Sequence, residues 1–186
     1  MTSAIQNTFD QLQSGNTILY PTDTVWGLGC DATNAEAVAK IYALKQREES
    51  KALICLVSDI RMLERFIENI PDVAYELIEA ADRPTTIIYD NPVRIAKNLV
   101  AIDNTLAIRI PDDEFCQKLI RKFKRPIVST SANISGEPTP KSYQEISAEI
   151  LNDVDYVVNL QNEKKYSKPS TIIQLRSNGE IKIIRA

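Results

Sequence analysis

The sequence predicts a single α/β domain of 186 residues, built on a mixed, twisted β-sheet flanked by helices. Segments with helical periodicity alternate along the chain with short apolar, β-branched segments, and neither kind is gathered at one end. The continuous apolar segment 52–57 is typical of a strand buried on both faces. Asn178-Gly179, between the last two apolar segments, predicts an antiparallel hairpin. No internal repeat or linker is visible, so we expect residues 1–186 to form one domain.

The N-terminal region predicts a helix followed by a strand. Ile5, Phe9 and Leu12 recur at helical spacing and share one face. Residues 17–20 are mostly β-branched and apolar, which favours a short buried strand. Pro21 ends that strand because proline has no N–H to donate to a neighbouring strand.

The segment 20–31, read as YPTDTVWGLGCD, is the most informative stretch of the chain. Thr22, Asp23 and Thr24 place two hydroxyls and a carboxylate directly after the first strand. The glycines in 27–29 predict a turn that brings the backbone close to a ligand. An ordinary connection between two elements would have a similar composition, so this segment alone does not decide between the two interpretations.

The remaining helices and strands are predicted from helix caps, from hydrophobic periodicity and from residues that end regular structure. Thr33-x-x-Glu36 resembles a capping box and predicts a helix that ends near Lys45-Gln46-Arg47. Further helices are predicted over 59–67, 71–81 and 113–123, and after a cap at Ser142-x-x-Glu145. Further strands are predicted over 85–89, 105–110, 127–129, 156–159, 171–175 and 181–184.

Composition excludes several classes of chemistry. The chain has no histidine, which excludes Ser-His-Asp hydrolysis, Cys-His catalysis and His-based metal sites. Cys30, Cys55 and Cys116 are odd in number and far apart, which suits a reducing cytoplasm better than a disulfide framework. The net charge of −3 gives no general attraction to nucleic acid. We expect neither a signal peptide nor a membrane span.

Polar side chains lie at the ends of several predicted strands, where ligands of open α/β sheets commonly bind. They are Thr22, Arg109, Ser129, Ser131, Asn133, Ser170 and Thr171. Such groups can hold a carboxylate, a phosphate or a ribose, and nearby lysines and arginines can add positive charge. Taken singly, each is also explained by turn or cap chemistry. Ser131 has no evident base, so we do not interpret it as a nucleophile.

Five motifs occur in the order in which they occur in the YrdC-like family, and together they span nearly the whole chain. The motifs are YPTDTVWGLG at 20–29, Lys45-x-Arg47, Ile108-Arg109-Ile110-Pro111, STSAN at 129–133 followed by Ile134-Ser135-Gly136, and Pro169-Ser170-Thr171-Ile172. The resemblance implies one α/β domain with a large concave, electropositive groove, without the second C-terminal domain of longer members. It also implies the activity of threonylcarbamoyl-AMP synthases, which condense L-threonine, bicarbonate and ATP and release pyrophosphate. Their product serves the N6-threonylcarbamoyladenosine modification of tRNA at position 37.

The resemblance assigns roles to individual residues. It implies that threonine is held by Thr22, Arg109, Ser129 and Ser170, with Arg109 on the carboxylate. It implies that ATP is contacted by Arg47, Lys51, Thr105, Ser131, Asn133, Thr139 and Arg185. Lys45 and Arg47 are the expected catalytic pair near the phosphates. Mg²⁺ is expected to come with ATP, held by phosphate oxygens and water and not by protein side chains. A downstream threonylcarbamoyl-transferase complex is the expected recipient of the product.

One departure from the family pattern keeps an alternative open. Glu48 and Glu49 follow Arg47 where the family usually has proline first, and two carboxylates beside a phosphate site would oppose binding unless they point away. A YciO-like protein that binds double-stranded RNA or tRNA without catalysis is therefore the second hypothesis. The basic run Lys118, Arg121, Lys122, Lys124 and Arg125 would be its RNA-facing patch, although such a run is more often the solvated face of a helix.

Overall fold

The computed structural model describes residues 1–48, 53–160 and 170–186, and within these ranges nine strands form one mixed sheet. They are, in chain order, β1 (Ile18–Pro21), β2 (Trp26–Gly29), β3 (Ile54–Leu56), β4 (Thr85–Asp90), β5 (Thr105–Arg109), β6 (Ile127–Ser131), β7 (Tyr156–Val157), β8 (Thr171–Leu175) and β9 (Ile181–Arg185). Across the sheet the order is β7-β1-β2-β6-β3-β5-β4-β8-β9. The pairs β1·β7, β3·β5 and β4·β8 are parallel and the others antiparallel. The predicted α/β class and mixed sheet are confirmed.

Six α-helices flank this sheet within the described ranges. They are α1 (Thr2–Gln13), α2 (Ala35–Leu44), α3 (Ile60–Leu63), α4 (Val73–Glu79), α5 (Glu114–Phe123) and α6 (Ala148–Asp153). α1 packs on α5, where the rings of Phe9 and Phe123 meet edge to face with centroids 6.3 Å apart. α3 and α4 lie over one face of β4 and β5, where Leu63 and Ile78 line a cavity together with Ile87 and Ile108. None of the helices in the described part of the chain is long and apolar enough to cross a bilayer.

The predicted glycine turn at 27–29 is wrong, because these residues form strand β2 between β1 and β6. The glycines are needed there for close packing. A Cβ on Gly29 would lie 2.5 Å from the carbonyl oxygen of Val128 and 2.7 Å from a ring carbon of Tyr20. Glycine in a strand often marks such a close approach, which a composition-based prediction reads as a turn.

Replacing Gly29 by alanine is therefore expected to lower the free energy of unfolding by about 3 kcal/mol, since the clash involves backbone that cannot move aside. Urea denaturation measures this loss. Gly179→Ala is the matched control, because its added Cβ would meet nothing within 4 Å and only the φ of +87° is unfavourable. The control should lose about 1 kcal/mol. A Gly29→Ala variant as stable as the parent would contradict the close packing.

Two predicted helix caps are also corrected. The N-cap of α2 is Asn34, whose Oδ1 accepts hydrogen bonds from the N–H groups of Glu36 and Ala37 at 3.0 and 3.2 Å. Thr33 is unavailable as a cap because its hydroxyl donates to Asp31 at 2.7 Å. Asparagine one residue later serves equally well.

Near the C-terminus, Ser142 precedes a single 3₁₀ turn over Tyr143–Glu145. Extended backbone at Ile146 separates this turn from the next helix. Helix α6 begins after Ser147, whose hydroxyl accepts a hydrogen bond from the N–H of Ile150. The predicted helix is thus capped five residues later than expected. Helices α3 and α4 are likewise shorter than the predicted 59–67 and 71–81, and β7 is shorter than 156–159.

Candidate active site

The register of β4, β5 and β8 places several of the predicted polar residues on one face of the sheet. Arg109 on β5 pairs with Thr86 on β4, and Thr86 pairs with Ile172 on β8. Alternate residues of a strand share a face, so Thr105 lies on the same side as Arg109, and Ser170 precedes Ile172 by two residues. The cavity of about 410 Å³ under α3 and α4 is lined by the intervening residues of β4 and β5 and lies on the opposite side of these strands, with Asp23 at its edge.

The threonine and serines of the other motifs extend this polar face. A Cβ on Gly27 would lie 3.3 Å from Oγ of Ser129 and 3.4 Å from Cγ2 of Thr22, so these two side chains flank the same glycine. Ser131 pairs directly with Gly27 and follows Ser129 by two residues on β6. Thr22, Ser129 and Ser131 therefore lie together, and the strand order connects them to Arg109 through β3.

Arg109 is the charged centre of this face. Its side chain is only 4% exposed, and its Nη1 donates to Oδ1 of Asp23 at 2.5 Å. The other oxygen of Asp23 accepts from the backbone N–H of Asp112 at 3.1 Å. Nε of Arg109 is buried and has no hydrogen-bond partner among the described residues. A buried guanidinium with an unused N–H is suited to bind an anion.

Ser170 and Thr86 form a second polar group beside Arg109. Their hydroxyl oxygens are 2.8 Å apart, and both residues are buried. The carbonyl oxygen of Ser170 accepts hydrogen bonds from Nε and Nη2 of Arg185 at 3.0 and 2.7 Å. Arg185 is thereby held at this strand end, and burial lowers the pKa of its guanidinium.

Lys45, at the end of α2, is almost fully buried and is bound to the loop after β6. Its Nζ donates to the carbonyl oxygens of Ser131 and Asn133 at 2.5 and 2.6 Å, and its own carbonyl accepts from the N–H of Ser135. Burial, together with the nearby Arg47 cation, lowers the pKa of the ammonium to about 8. Lys45 thus anchors the loop that carries Ser131.

Asn133 stabilises the same loop from within. Its Nδ2 donates to the carbonyl oxygens of Ile134 and Glu137 at 2.9 and 2.8 Å. Its Oδ1 is buried without a hydrogen-bond partner among the described residues. Both amide donors are therefore used to hold backbone, and the loop conformation depends on them.

The other candidate residues are less enclosed or already make local contacts. The hydroxyl of Thr22 donates to the carbonyl of Val25 at 2.8 Å and accepts from the N–H of Thr24. The hydroxyl of Thr105 donates to Asp103 at 2.7 Å. Arg47 is half-buried and Thr139 is exposed. Lys51 and Glu49 lie outside the described residues.

Sequence reasoning misses Thr86 and the partner of Asp23. The carboxylate of Asp23 follows β1 in the sequence, but nothing in the sequence indicates that its partner is Arg109, 86 residues away. Thr86 fits the strand prediction as an ordinary β-branched residue, so its hydroxyl gave no signal of its own. A search for polar residues facing Arg109 across the predicted strand pairing would have found Thr86, had the strand order been known.

The basic run of α5 is largely engaged with neighbouring side chains. Lys118 pairs with Glu114, Arg125 pairs with the buried Asp31, and Arg121 donates to Gln117. Lys122 donates to Gln6. These contacts describe the solvated, locally paired face of a helix.

The described residues contain no group of three His, Cys, Asp or Glu side chains placed to hold a metal ion. Hydroxyl, amide and cationic groups dominate the face instead. Such a set suits phosphate oxygens, so a Mg²⁺ ion that accompanied a nucleotide would be held by the nucleotide's own phosphates and water.

The sequence model of the Sua5/YciO/YrdC family, which is described as telomere recombination, matches residues 10–186. The chain belongs to this family. Members with similar sequences include a protein of Methanocaldococcus jannaschii, 37% identical over 93% of this chain and 81% of that protein. A threonylcarbamoyl-AMP synthase of Vibrio cholerae is 31% identical over 93% of both chains.

Solved structures of the Sua5/YciO/YrdC family share the fold. Sua5 of P. abyssi, complexed with L-threonine, has a TM-score of 0.85 and 29% identity over 92% of this chain. The chain spans about half the length of that Sua5 protein, of which 50% is covered. YciO of E. coli has a TM-score of 0.86 over the whole chain, and its 22% identity establishes the fold alone.

Proposed function

We propose that this chain is a threonylcarbamoyl-AMP synthase, which condenses L-threonine, bicarbonate and ATP and releases pyrophosphate. The observation that carries the proposal is the buried Arg109, which has an unused N–H and lies on one face with the hydroxyls of Ser170, Ser129 and Thr22. A cation beside several hydroxyls suits the carboxylate and the hydroxyl of an amino acid. The 31% identity to the Vibrio cholerae synthase across 93% of the chain supports the same function.

Threonine would bind at the end of the face that holds Arg109. The guanidinium would pair with the substrate carboxylate, while Thr22, Ser129 and Ser170 would contact its remaining polar atoms. Asp23 would keep the guanidinium in place, because it holds Nη1 and is itself held by the backbone. The amine of threonine would then point along the face toward Ser131.

ATP would bind at the other end, next to the loop anchored by Lys45. Ser131, Asn133 and Thr105 would contact the nucleotide. Arg47 would face the phosphates, while Lys45 would hold the loop that carries Ser131. The remaining nucleotide contacts would come from Lys51, Thr139 and Arg185. Mg²⁺ would enter as part of the MgATP substrate, held by phosphate oxygens and water.

The reaction needs positioning more than acid–base catalysis. The amine of threonine attacks the carbon of bicarbonate and forms a C–N bond. A proton from the amine passes to the departing hydroxyl, which leaves as water to give a carbamate. A carbamate oxygen then attacks the α-phosphorus of ATP, and pyrophosphate leaves. Alignment of the reactants and cationic stabilisation of phosphate charge supply most of the rate in such a mechanism. A site without histidine is sufficient for it.

The direct test is pyrophosphate release from ATP, measured with and without threonine and bicarbonate. We expect release to require both, and we expect threonine with a nonhydrolysable ATP analogue to raise the melting temperature through binding linkage. Ser131→Ala should reduce the rate by weakening nucleotide placement. Pyrophosphate release that is indifferent to threonine would contradict the synthase function.

The same measurements separate the RNA-binding alternative. A non-catalytic binder would show salt-sensitive affinity for duplex RNA or tRNA that survives Ser131→Ala, and threonine would leave its melting temperature unchanged. The paired state of the basic run on α5 gives that alternative no particular support. If the synthase function holds, the labile product would pass to the proteins that transfer the threonylcarbamoyl group to tRNA.

A further inference from the structure

Thr86 is a buried polar residue at the centre of the candidate site that no sequence motif identified. It is fully buried on β4 and is the direct cross-strand neighbour of Arg109. Valine has nearly the same shape and would fill the position without a polar atom, and a buried hydroxyl is costly unless it is hydrogen-bonded. The hydroxyl of Thr86 has such a partner, Oγ of Ser170, at 2.8 Å.

The two hydroxyls carry one more proton than the hydrogen bond between them requires. Thr86 and Ser170 each carry one O–H, and the bond between them consumes one of the two protons. Among the described residues neither hydroxyl makes another side-chain hydrogen bond. The neighbouring guanidinium of Arg109 has donors only and cannot accept the second proton. The pair and the guanidinium therefore present donors together, and an anionic acceptor would satisfy both.

We infer that Thr86 is a positioning residue for the amino-acid substrate and acts through Ser170. Its hydroxyl donates to Oγ of Ser170, which leaves the Ser170 proton to the substrate carboxylate held by Arg109. Thr86 does not itself touch the substrate, because its side chain is completely buried. This inference rests on the proposed function, since it assumes that the anion bound at Arg109 is the carboxylate of threonine.

The test compares three variants by calorimetric titration with threonine in the presence of a nonhydrolysable ATP analogue. Thr86→Val removes the hydroxyl and keeps the shape, whereas Thr86→Ser keeps the hydroxyl and removes a methyl group. Thr85→Val is the matched control, because Thr85 faces the other side of β4 and its hydroxyl donates to the carbonyl of Arg83 at 3.0 Å. The melting temperature and the affinity for the ATP analogue are measured for each variant.

We expect the affinity for threonine, and not the melting temperature, to separate Thr86→Val from Thr86→Ser. Thr86→Val should bind threonine about tenfold more weakly, with the affinity for the ATP analogue close to the parent value and a melting temperature no lower than that of Thr86→Ser. Thr86→Ser should bind threonine within about threefold of the parent although the lost methyl lowers its melting temperature. Thr85→Val should match the parent in threonine affinity.

Two results would overturn the inference. One is a Thr86→Val protein that binds threonine as the parent does. The other is a loss of threonine affinity in Thr86→Ser as large as that in Thr86→Val, which would show that the position serves packing. Failure of the parent protein itself to bind threonine would overturn the proposed function, and the inference with it.

Discussion

Replacing Arg109 by alanine is expected to abolish threonine-dependent pyrophosphate release, with kcat/KM for threonine falling at least about 100-fold. The substrate carboxylate would lose the buried guanidinium that the proposal pairs with it. The same change leaves the buried carboxylate of Asp23 without the guanidinium at 2.5 Å. An uncompensated buried charge costs about 3–5 kcal/mol, a large part of the stability of a typical domain. Urea denaturation and a pyrophosphate assay measure the two effects.

A double variant separates these two effects. Arg109→Met combined with Asp23→Asn removes both charges and keeps an oxygen that can accept from the N–H of Asp112. We expect this protein to recover most of the lost stability and none of the lost activity. Arg121→Ala, which truncates an exposed arginine of α5, is the control and should leave both unchanged. Threonine-dependent release by the stable double variant would show that Arg109 does not bind the substrate.

Replacing Lys45 by methionine is expected to reduce activity by at least about 100-fold and to raise KM for ATP more than KM for threonine. Methionine has a similar length and no donor, so the carbonyl oxygens of Ser131 and Asn133 would lose the ammonium that binds both of them. Buried carbonyl groups that lose a partner cost about 1–3 kcal/mol each, and the loop would move to find water. The nucleotide contacts on that loop would then be misplaced.

The matched control for this variant lies on the same helix. Lys40 is half-exposed on α2, and its ammonium is 3.4 Å from Asp155, a surface pair that contributes little stability. Lys40→Met should therefore have nearly the activity and stability of the parent. Steady-state kinetics with ATP and threonine varied in turn distinguishes the two variants. A Lys45→Met protein with an unchanged KM for ATP would show that the loop does not position the nucleotide.

Much of the sheet could be predicted from the sequence because its strands are β-branched and bounded by breakers. β8 has the predicted bounds, and β4 and β5 differ by one residue at one end. β2 could not be predicted in this way, because two of its four residues are glycines, which disfavour strands when considered without their neighbours. Its place in the sheet follows from the close approach of Tyr20 and Val128, which only the tertiary structure supplies.

Motifs identify the candidate residues, whereas only the structure shows the contacts between them. The hydrogen bonds of Arg109 to Asp23 and of Thr86 to Ser170 join residues 86 and 84 positions apart. Such pairing depends on strand order, and strand order is not encoded in local periodicity. The sequence also gives no sign that Lys45 binds backbone carbonyls, because a lysine at the C-terminal end of a helix ordinarily interacts with the helix dipole.

Strand β6 carries Ser129, assigned to the amino acid, and Ser131, assigned to the nucleotide, with one residue between them. Alternate residues of a strand are about 6.6 Å apart, so a single stretch of backbone would set the distance between the two substrates. Neighbouring strands hold this backbone in place, because β3 pairs with Ile127, Val128 and Ser129 and β2 pairs with Thr130 and Ser131. Insertion of one residue between the two serines would then disturb the alignment of the reactants more than the loss of either serine.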